Sequence, residues 1–383
     1  MTGDVDVLHV LFGGPGGQAS VVRGLAAGMR RNGLTTAVCA YAPPGDLLDD
    51  PAAWPEVDVL VPVPKRRRPD PDGGRAIGAA VRDLRPRAVL WHSSYAPLGM
   101  WRGRRRGRPR ALVLVEHQAL HLRDRGDAFR TAIGLTVGDA VVLLSGDQAA
   151  RHPWRGPAGL LGRPRHVIPS GVDLDRFHPP TPAGHGRGTF RIGMAGRLIP
   201  AKDPGLLVEA SAVLAHDRPD LAVEVVIAGD GPRRDEVAHL AHERGVADRV
   251  HLPGHLPEHD LADLLRTLEV YVQASHGETL STAVLQAWAT GLPVVATDVG
   301  GLRDLVTPTD GLLVPEGDAA ALAGALADLA DDPTRRRTLG AAGRARAEAA
   351  FSLEAMTAGY LTLLAELDPD GPWVAGGTRR PRS

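Results

Sequence analysis

The chain's 383 residues, 43% hydrophobic and 23% charged, suffice for two globular domains with buried cores and exclude a disordered polypeptide. Lys+Arg (44) balances Asp+Glu (45) at a formal net charge of −1, which removes any global signature of polyanion binding. The single cysteine, Cys39, excludes internal disulfides and cysteine-built zinc sites, and no apolar run approaches the ~18–20 residues of a membrane span.

In chain order, short Val/Leu/Ala runs at 6–12, 35–41, 57–63, 88–94, 111–117, 140–145 and 165–169 read as strands, with 3.6-period helical stretches such as 20–32 and 75–84 between them. Continuous apolar strands alternating with helices imply a parallel sheet covered on both faces. Proline and glycine then crowd 177–188, which reads as a linker, and the alternation restarts. Strands are expected at 190–195, 223–228, 250–252, 270–274, 293–297 and 311–314, with helices such as 204–215 and 233–244 between them. Further helices cover 318–350, broken near Asp332-Pro333, and 353–367. The expected division is an N-terminal domain 1–178, a linker 179–188, a C-terminal domain 189–351, a helix 352–367 crossing back to the first domain, and a flexible tail 368–383. Two doubly wound α/β domains would face each other across a cleft, with ligands beyond the carboxyl ends of the strands. The acidic stretch 1–6, where a signal peptide is basic, adds the expectation of a cytoplasmic protein.

The unusual residues follow strands. Phe12-Gly-Gly-Pro-Gly-Gly-Gln-Ala-Ser20 leaves the first strand and opens a helix, a turn in which glycine lets a ligand approach the backbone; a plain tight turn explains it equally. In Gly193-Met-Ala-Gly-Arg-Leu-Ile-Pro-Ala-Lys-Asp-Pro204, Arg197 and Lys202 put two cations at a strand end beside a helix N-terminus, the makings of a diphosphate cradle. Only Lys65 and Lys202 are lysines in a chain otherwise supplied with arginine, so Lys202 reads as a point-charge phosphate contact, with an interdomain ion pair as the alternative. In the third segment, 275–298, Glu278 stands in a strand-to-helix turn and Gln286 lies two helical turns, about 12 Å, further on. The backbone N–H groups of Thr279, Leu280 and Ser281 would face a phosphate. The alternative makes Gln286 an exposed helical residue and Glu278 a first-turn charge.

Together these segments resemble a family-4 retaining glycosyltransferase of the GT-B fold, over nearly the whole chain. The resemblance rests on Pro15-Gly-Gly-Gln18, Val167-Ile-Pro-Ser-Gly-Val-Asp173, Ala195-Gly-Arg-Leu-Ile-Pro-Ala-Lys202, Ile227-Ala-Gly-Asp-Gly-Pro-Arg233 and the run from Glu278 to Val299-Gly-Gly301. It implies that Arg197 and Lys202, beside Gly196, Gly229 and Gly231, hold the diphosphate of a nucleotide-sugar donor. Glu278 would bond the sugar hydroxyls, and Gly16 and Gly17 would bring the first domain's backbone to the phosphate side. His117 matches the histidine that approaches the donor sugar. The family's second glutamate, which binds the ribose, is Gln286 here, and an amide offers one acceptor oxygen where a carboxylate offers two.

The implied reaction is sugar transfer with retention, without metal or other cofactor. The pairs Asp4/Asp6, Asp70/Asp72 and Asp173/Asp175 fit a metal-binding DxD pattern by chance. A polar small molecule or saccharide acceptor would rest on the loops carrying His92, Tyr95, His117 and His121. The rivals are a nucleotide-sugar 2-epimerase and a catalytically silent nucleotide-sugar binder. The basic stretch Trp101–Arg110 reads as a solvated loop, because two glycines and a proline spoil an amphipathic helix; with Lys65–Arg68 it could instead form an anionic-lipid patch.

Overall fold

Strand-forming Val, Leu and Ala runs organise the chain into two sheets. The computed structural model describes residues 5–12, 17–43, 54–65, 70–92, 97–117, 131, 133–151, 164–180 and 188–373. The chain divides into one unit of residues 1–171 with 353–383, and a second unit of residues 172–352.

The first sheet holds β1 (Val7–Phe12), β2 (Thr36–Ala42), β3 (Val59–Pro64), β4 (Ala88–Trp91), β5 (Ala111–Glu116), β6 (Ala140–Leu143) and β7 (Arg165–Val167), all parallel, in the order β3-β2-β1-β4-β5-β6-β7. Every residue of β1, β2, β4, β5 and β6 is buried, as a sheet covered on both faces requires. Its helices include α1 (Gly17–Arg31), α2 (Pro71–Leu84), α3 (Pro97–Gly107) and α4 (Gly146–Arg151).

The second sheet repeats the plan. Strands β8 (Phe190–Ala195), β9 (Val223–Ala228), β10 (Val250–Gly254), β11 (Val270–Gln273), β12 (Val294–Thr297) and β13 (Gly311–Val314) are parallel in the order β10-β9-β8-β11-β12-β13. Helices α5 (Pro204–Asp217), α6 (Arg234–Glu243), α7 (Glu258–Leu265), α8 (Thr282–Ala289), α9 (Gly300–Leu305), α10 (Ala319–Asp331) and α11 (Pro333–Ala350) complete the unit. The break between α10 and α11 has a local cause. Asp332 accepts from Arg335 N at 2.8 Å and Pro333 takes the first helical position, so one helix stops and the next is capped. In each sheet the strand order reverses beside the first strand, at β1/β4 and at β8/β11, where neighbouring loops diverge and leave a crevice.

Three sequence expectations need correction. First, the stretch Trp101–Arg110, expected as a loop, is helical through Gly107 as part of α3. Its glycines recur every fourth residue on one face, and α3 lies backbone to backbone on α2 through them. A Cβ on Gly99 would come 2.1 Å from Gly74 O, and one on Gly107 2.4 Å from Val81 O. The glycines that spoil an isolated helix are what this packing demands. Second, the division falls at 171/172 and 352/353; of the expected linker, 181–187 lies outside the described residues. Val172 and Ser352 form an isolated bridge, and Val172 N donates to Phe351 O at 2.7 Å. Third, the tail is anchored at its start. Asp368 takes two hydrogen bonds from Arg87, at 2.5 and 3.0 Å, and one from the buried Trp373 indole at 3.2 Å. Residues 374–383 lie outside the described residues. The last helix, α12 (Leu353–Leu367), packs on α1 where Gly24 and Gly28 leave room for Leu353 and Thr357.

Candidate active site

The second sheet's reversal point gathers the polar side chains. β8 ends in Gly196-Arg197, and a 3-10 turn at Pro200–Lys202 follows before α5. Asp203 occupies the N-cap position with φ 38° and makes no side-chain cap bond; its carboxylate lies 3.7 Å from both Arg233 and His276. Gly196 (φ 155°), Gly229 (φ 140°) and Gly231 (φ 154°) press the loops after β8 and β9 together. A Cβ on Gly229 would meet Gly196 O at 1.8 Å, and one on Gly231 would meet Leu198 O at 2.5 Å.

Lys202, 76 residues before Glu278 in sequence, forms an ion pair with its Oε1. The same oxygen accepts from Ser275 Oγ at 3.1 Å and Gln273 Nε2 at 3.3 Å. Among the described residues Oε2 has no partner. Behind the pair runs a buried polar ladder. Gln273 Nε2 donates to Ser275 Oγ (2.9 Å), while Gln273 Oε1 accepts from Tyr271 OH (3.0 Å) and Ser281 Oγ (3.2 Å). Burial pushes the Tyr271 phenol well up, so it stays a protonated donor. The ladder locks Glu278 in one orientation before any ligand arrives. Sequence reasoning missed Tyr271, Gln273 and Ser275. The signal was there, since polar residues at 271, 273 and 275 alternate along an otherwise apolar strand and so share one face.

The remaining expected donor residues lie in the same unit. Arg197 is exposed, with no ion-pair partner among the described residues. Ser281 is the N-cap of α8 and Thr279 is buried, its hydroxyl without a hydrogen bond among the described residues. Leu280 is half-buried beside them. Gly301 N donates to Glu278 O at 2.9 Å, and a Cβ on Gly301 would meet Thr279 O at 2.1 Å, so Val299-Gly-Gly301 supports the glutamate's loop. Gln286 is only 9% exposed, which removes its reading as a surface helical residue; among the described residues its amide has no partner.

In the first unit the expected residues separate. Gly16, Tyr95 and His121 lie outside the described residues, and Gly17 opens α1 in an exposed position. Gln18, one residue on, donates from its amide to His92 O. His92, expected among the acceptor contacts, is deeply buried. It is 1% exposed, with Nε2 3.1 Å from His9 Nδ1 and Nδ1 3.0 Å from His117 Nε2. His117, half-buried at the end of β5, is the outer ring of this row. Burial pushes His9 down to about 3 and His117 to about 4; His92 is held well below 6.5 by burial and then by its two neighbours.

Asp4 lies outside the described residues, and one aspartate of each DxD-like pair has a local structural partner. Asp6 accepts from Thr35 N and Oγ1, both at 2.8 Å, Asp70 caps α2 through Gly73 N, and Asp173 accepts from Asp175 N and Arg176 N. Among the described residues no three His, Cys, Asp or Glu side chains converge as metal ligands.

Residues 182–346 match the model of glycosyl transferases group 1, and residues 15–176 match that of glycosyltransferase family 4. The chain belongs to the family-4 glycosyltransferases. It is 35% identical over 209 residues to a D-inositol 3-phosphate glycosyltransferase of Thermobispora bispora, covering 50% of this chain and 48% of that protein. A GDP-mannose-dependent monoacylated alpha-(1-6)-phosphatidylinositol monomannoside mannosyltransferase of Corynebacterium glutamicum is 33% identical over 205 residues, 49% of this chain and 53% of that one. The match thus spans about half the length of these curated relatives. Among solved structures, Anabaena HepE in complex with UDP and glucose superposes with a TM-score of 0.78 at 18% identity, over 94% of this chain and 99% of that one. Such a likeness shows the GT-B fold.

Proposed function

We propose that this glycosyltransferase moves a sugar from a nucleoside diphosphate to a polar small-molecule or saccharide acceptor, with the anomeric configuration retained and without a metal ion. The observation that carries the reading is the Lys202–Glu278 pair at the β8/β11 reversal, with Arg197 exposed just past the end of β8. Two cations of different kinds suit a diphosphate, the guanidinium by its fork and the ammonium as a point charge. Glu278 Oε2 then accepts from a sugar hydroxyl, while Oε1 keeps its three donors. As the sugar leaves, negative charge gathers on the diphosphate, where Lys202, already held by Glu278, and Arg197 stabilise it.

His117, on the first unit, meets the donor sugar in this reading, and Gln286 meets the ribose. The relatives support the donor and acceptor classes. One is a glycosyltransferase of an inositol phosphate, another uses GDP-mannose, and HepE is seen with UDP and glucose. Thermal-shift titration with UDP, GDP, ADP and dTDP tests donor binding, since a nucleotide that binds the folded state raises Tm. Transfer assays in EDTA test metal independence, and complete loss there overturns that part. Anomeric analysis of the product tests retention.

A further inference from the structure

The row His9–His92–His117 does more than fill space. Three imidazoles standing after or within three adjacent strands, β1, β4 and β5, are joined by two N···N contacts of 3.1 and 3.0 Å. His9 and His92 stack with their planes 18° apart, and the planes of His92 and His117 are tilted by 37°. Each contact needs one hydrogen, supplied by one side only. A neutral imidazole has one N–H and one bare nitrogen, so the whole row can be written in two ways. Either every ring carries its hydrogen on Nδ1 and donates outward, towards His117, or every ring carries it on Nε2 and donates inward, towards His9.

The inner end decides between them. Among the described residues His9 Nε2 is buried without a partner. The inward arrangement would put an N–H there with nothing to accept it; the outward arrangement leaves only a bare acceptor. Orphaned buried N–H groups are rarer in folded proteins than under-satisfied acceptors. We propose that His9 and His92 are positioning residues that fix His117 as the Nδ1–H tautomer, so that His117 presents a hydrogen-bond donor to an oxygen of the bound ligand. The depressed proton affinities of all three rings keep the row neutral near pH 7, as the scheme requires.

The consequence is chemical. His117 Nε2 is occupied by the hydrogen of His92, and Nδ1 already carries its own. His117 therefore cannot take a proton as a general base; it can only donate to a hydroxyl or phosphate oxygen. This refinement rests on the reading above that His117 meets the donor.

The ¹⁵N-labelled full-length protein, without ligand, tests the row directly. Long-range ¹H–¹⁵N correlation spectra read which ring nitrogen of each histidine carries hydrogen. The expected result is three neutral rings protonated on Nδ1. Hydrogen on Nε2 of His117, or a doubly protonated ring in the row at neutral pH, overturns the proposal without recourse to any variant. Replacement then separates tautomer control from packing. His9→Asn places an amide N–H where Nδ1 stood and should leave His117 as it was. His9→Leu should release His92 and His117 into mixed tautomers and lower kcat/KM about tenfold, the worth of one hydrogen bond. An unchanged His117 pattern in folded His9→Leu also overturns the proposal. Full transfer activity in His117→Ala, with the wild-type tautomer pattern intact, would instead sink the donor-contact reading and leave the histidine row standing.

Discussion

Both sheets reverse their strand order beside the first strand, yet the side chains at the two reversal points differ in kind. At β8/β11 the strand ends carry charge: Arg197 is exposed, and Lys202 is paired with a Glu278 held by a buried ladder. At β1/β4 and the neighbouring β5 stand three imidazoles, one within β1 and two just past β4 and β5, that burial keeps neutral. One topology thus supplies a charged crevice and an uncharged one. The difference teaches that the fold fixes where a site stands, while the residues just past the strands decide whether it binds an anion or offers a neutral hydrogen bond.

The sharpest way to break this contrast is on the charged side. Arg197→Ala and Lys202→Ala should each lower kcat by about 10²–10³-fold if they hold the leaving diphosphate. Steady-state kinetics with the preferred donor checks this, and an unchanged kcat removes the role.

Acid should break the neutral side. His9 and His117 have folded-state proton affinities of about 3 and about 4 against the ordinary 6.5. As pH falls below about 6.5 the unfolded chain binds protons that the folded chain refuses. Stability is therefore full above that pH and declines as pH falls towards the folded-state values. A single ring held neutral costs about 2 kcal/mol between pH 6.5 and about 5. Thermal melts at the two pH values should show a smaller acid-induced loss in His9→Leu than in the wild type.

Glycines sharpen the comparison in another way. Gly99→Ala, at the α2–α3 contact of the first unit, should lower stability by about 1–3 kcal/mol and leave the activity of the folded protein intact. Gly301→Ala in the second unit should cost a similar amount, and it should also raise the donor KM, because the added carbon collides with the Glu278–Thr279 backbone. Parallel melts and kinetics on the two variants separate a packing contact from a site support. The smallest effect is expected for Gln286→Ala, which loses one hydrogen bond of about 0.5–1.5 kcal/mol and so raises the donor KM up to about tenfold with little change in kcat.

The thirteen strands among the described residues were legible in the sequence, and the fully buried ones, such as β5, read as unbroken Val/Leu/Ala runs. The α10–α11 break was equally plain, since Asp-Pro caps and starts a helix in two residues. What local patterns hid were facts of tertiary contact. The glycines of α3 look like helix breakers until α2 is set against them, and Asp368 looks like a frayed end until Arg87 and Trp373 claim it. Arg197, Lys202, Glu278 and Gln286 could be singled out as unusual residues after strands. The pairing of Lys202 with Glu278 could not, because it joins loops 76 residues apart. His9 was hidden inside an apolar strand and matters only through His92, 83 residues away.

The bridge between Val172 and Ser352 has a consequence for how the chain is put together. Both termini belong to the first unit, and the second is one uninterrupted stretch whose first and last residues already touch. It is an insertion with its entry and exit stitched together. Such a segment can be excised and grafted into another host with little loss of chain entropy, provided the host loop's ends lie equally near. The first unit, cut at the same places, falls into two pieces that must find each other.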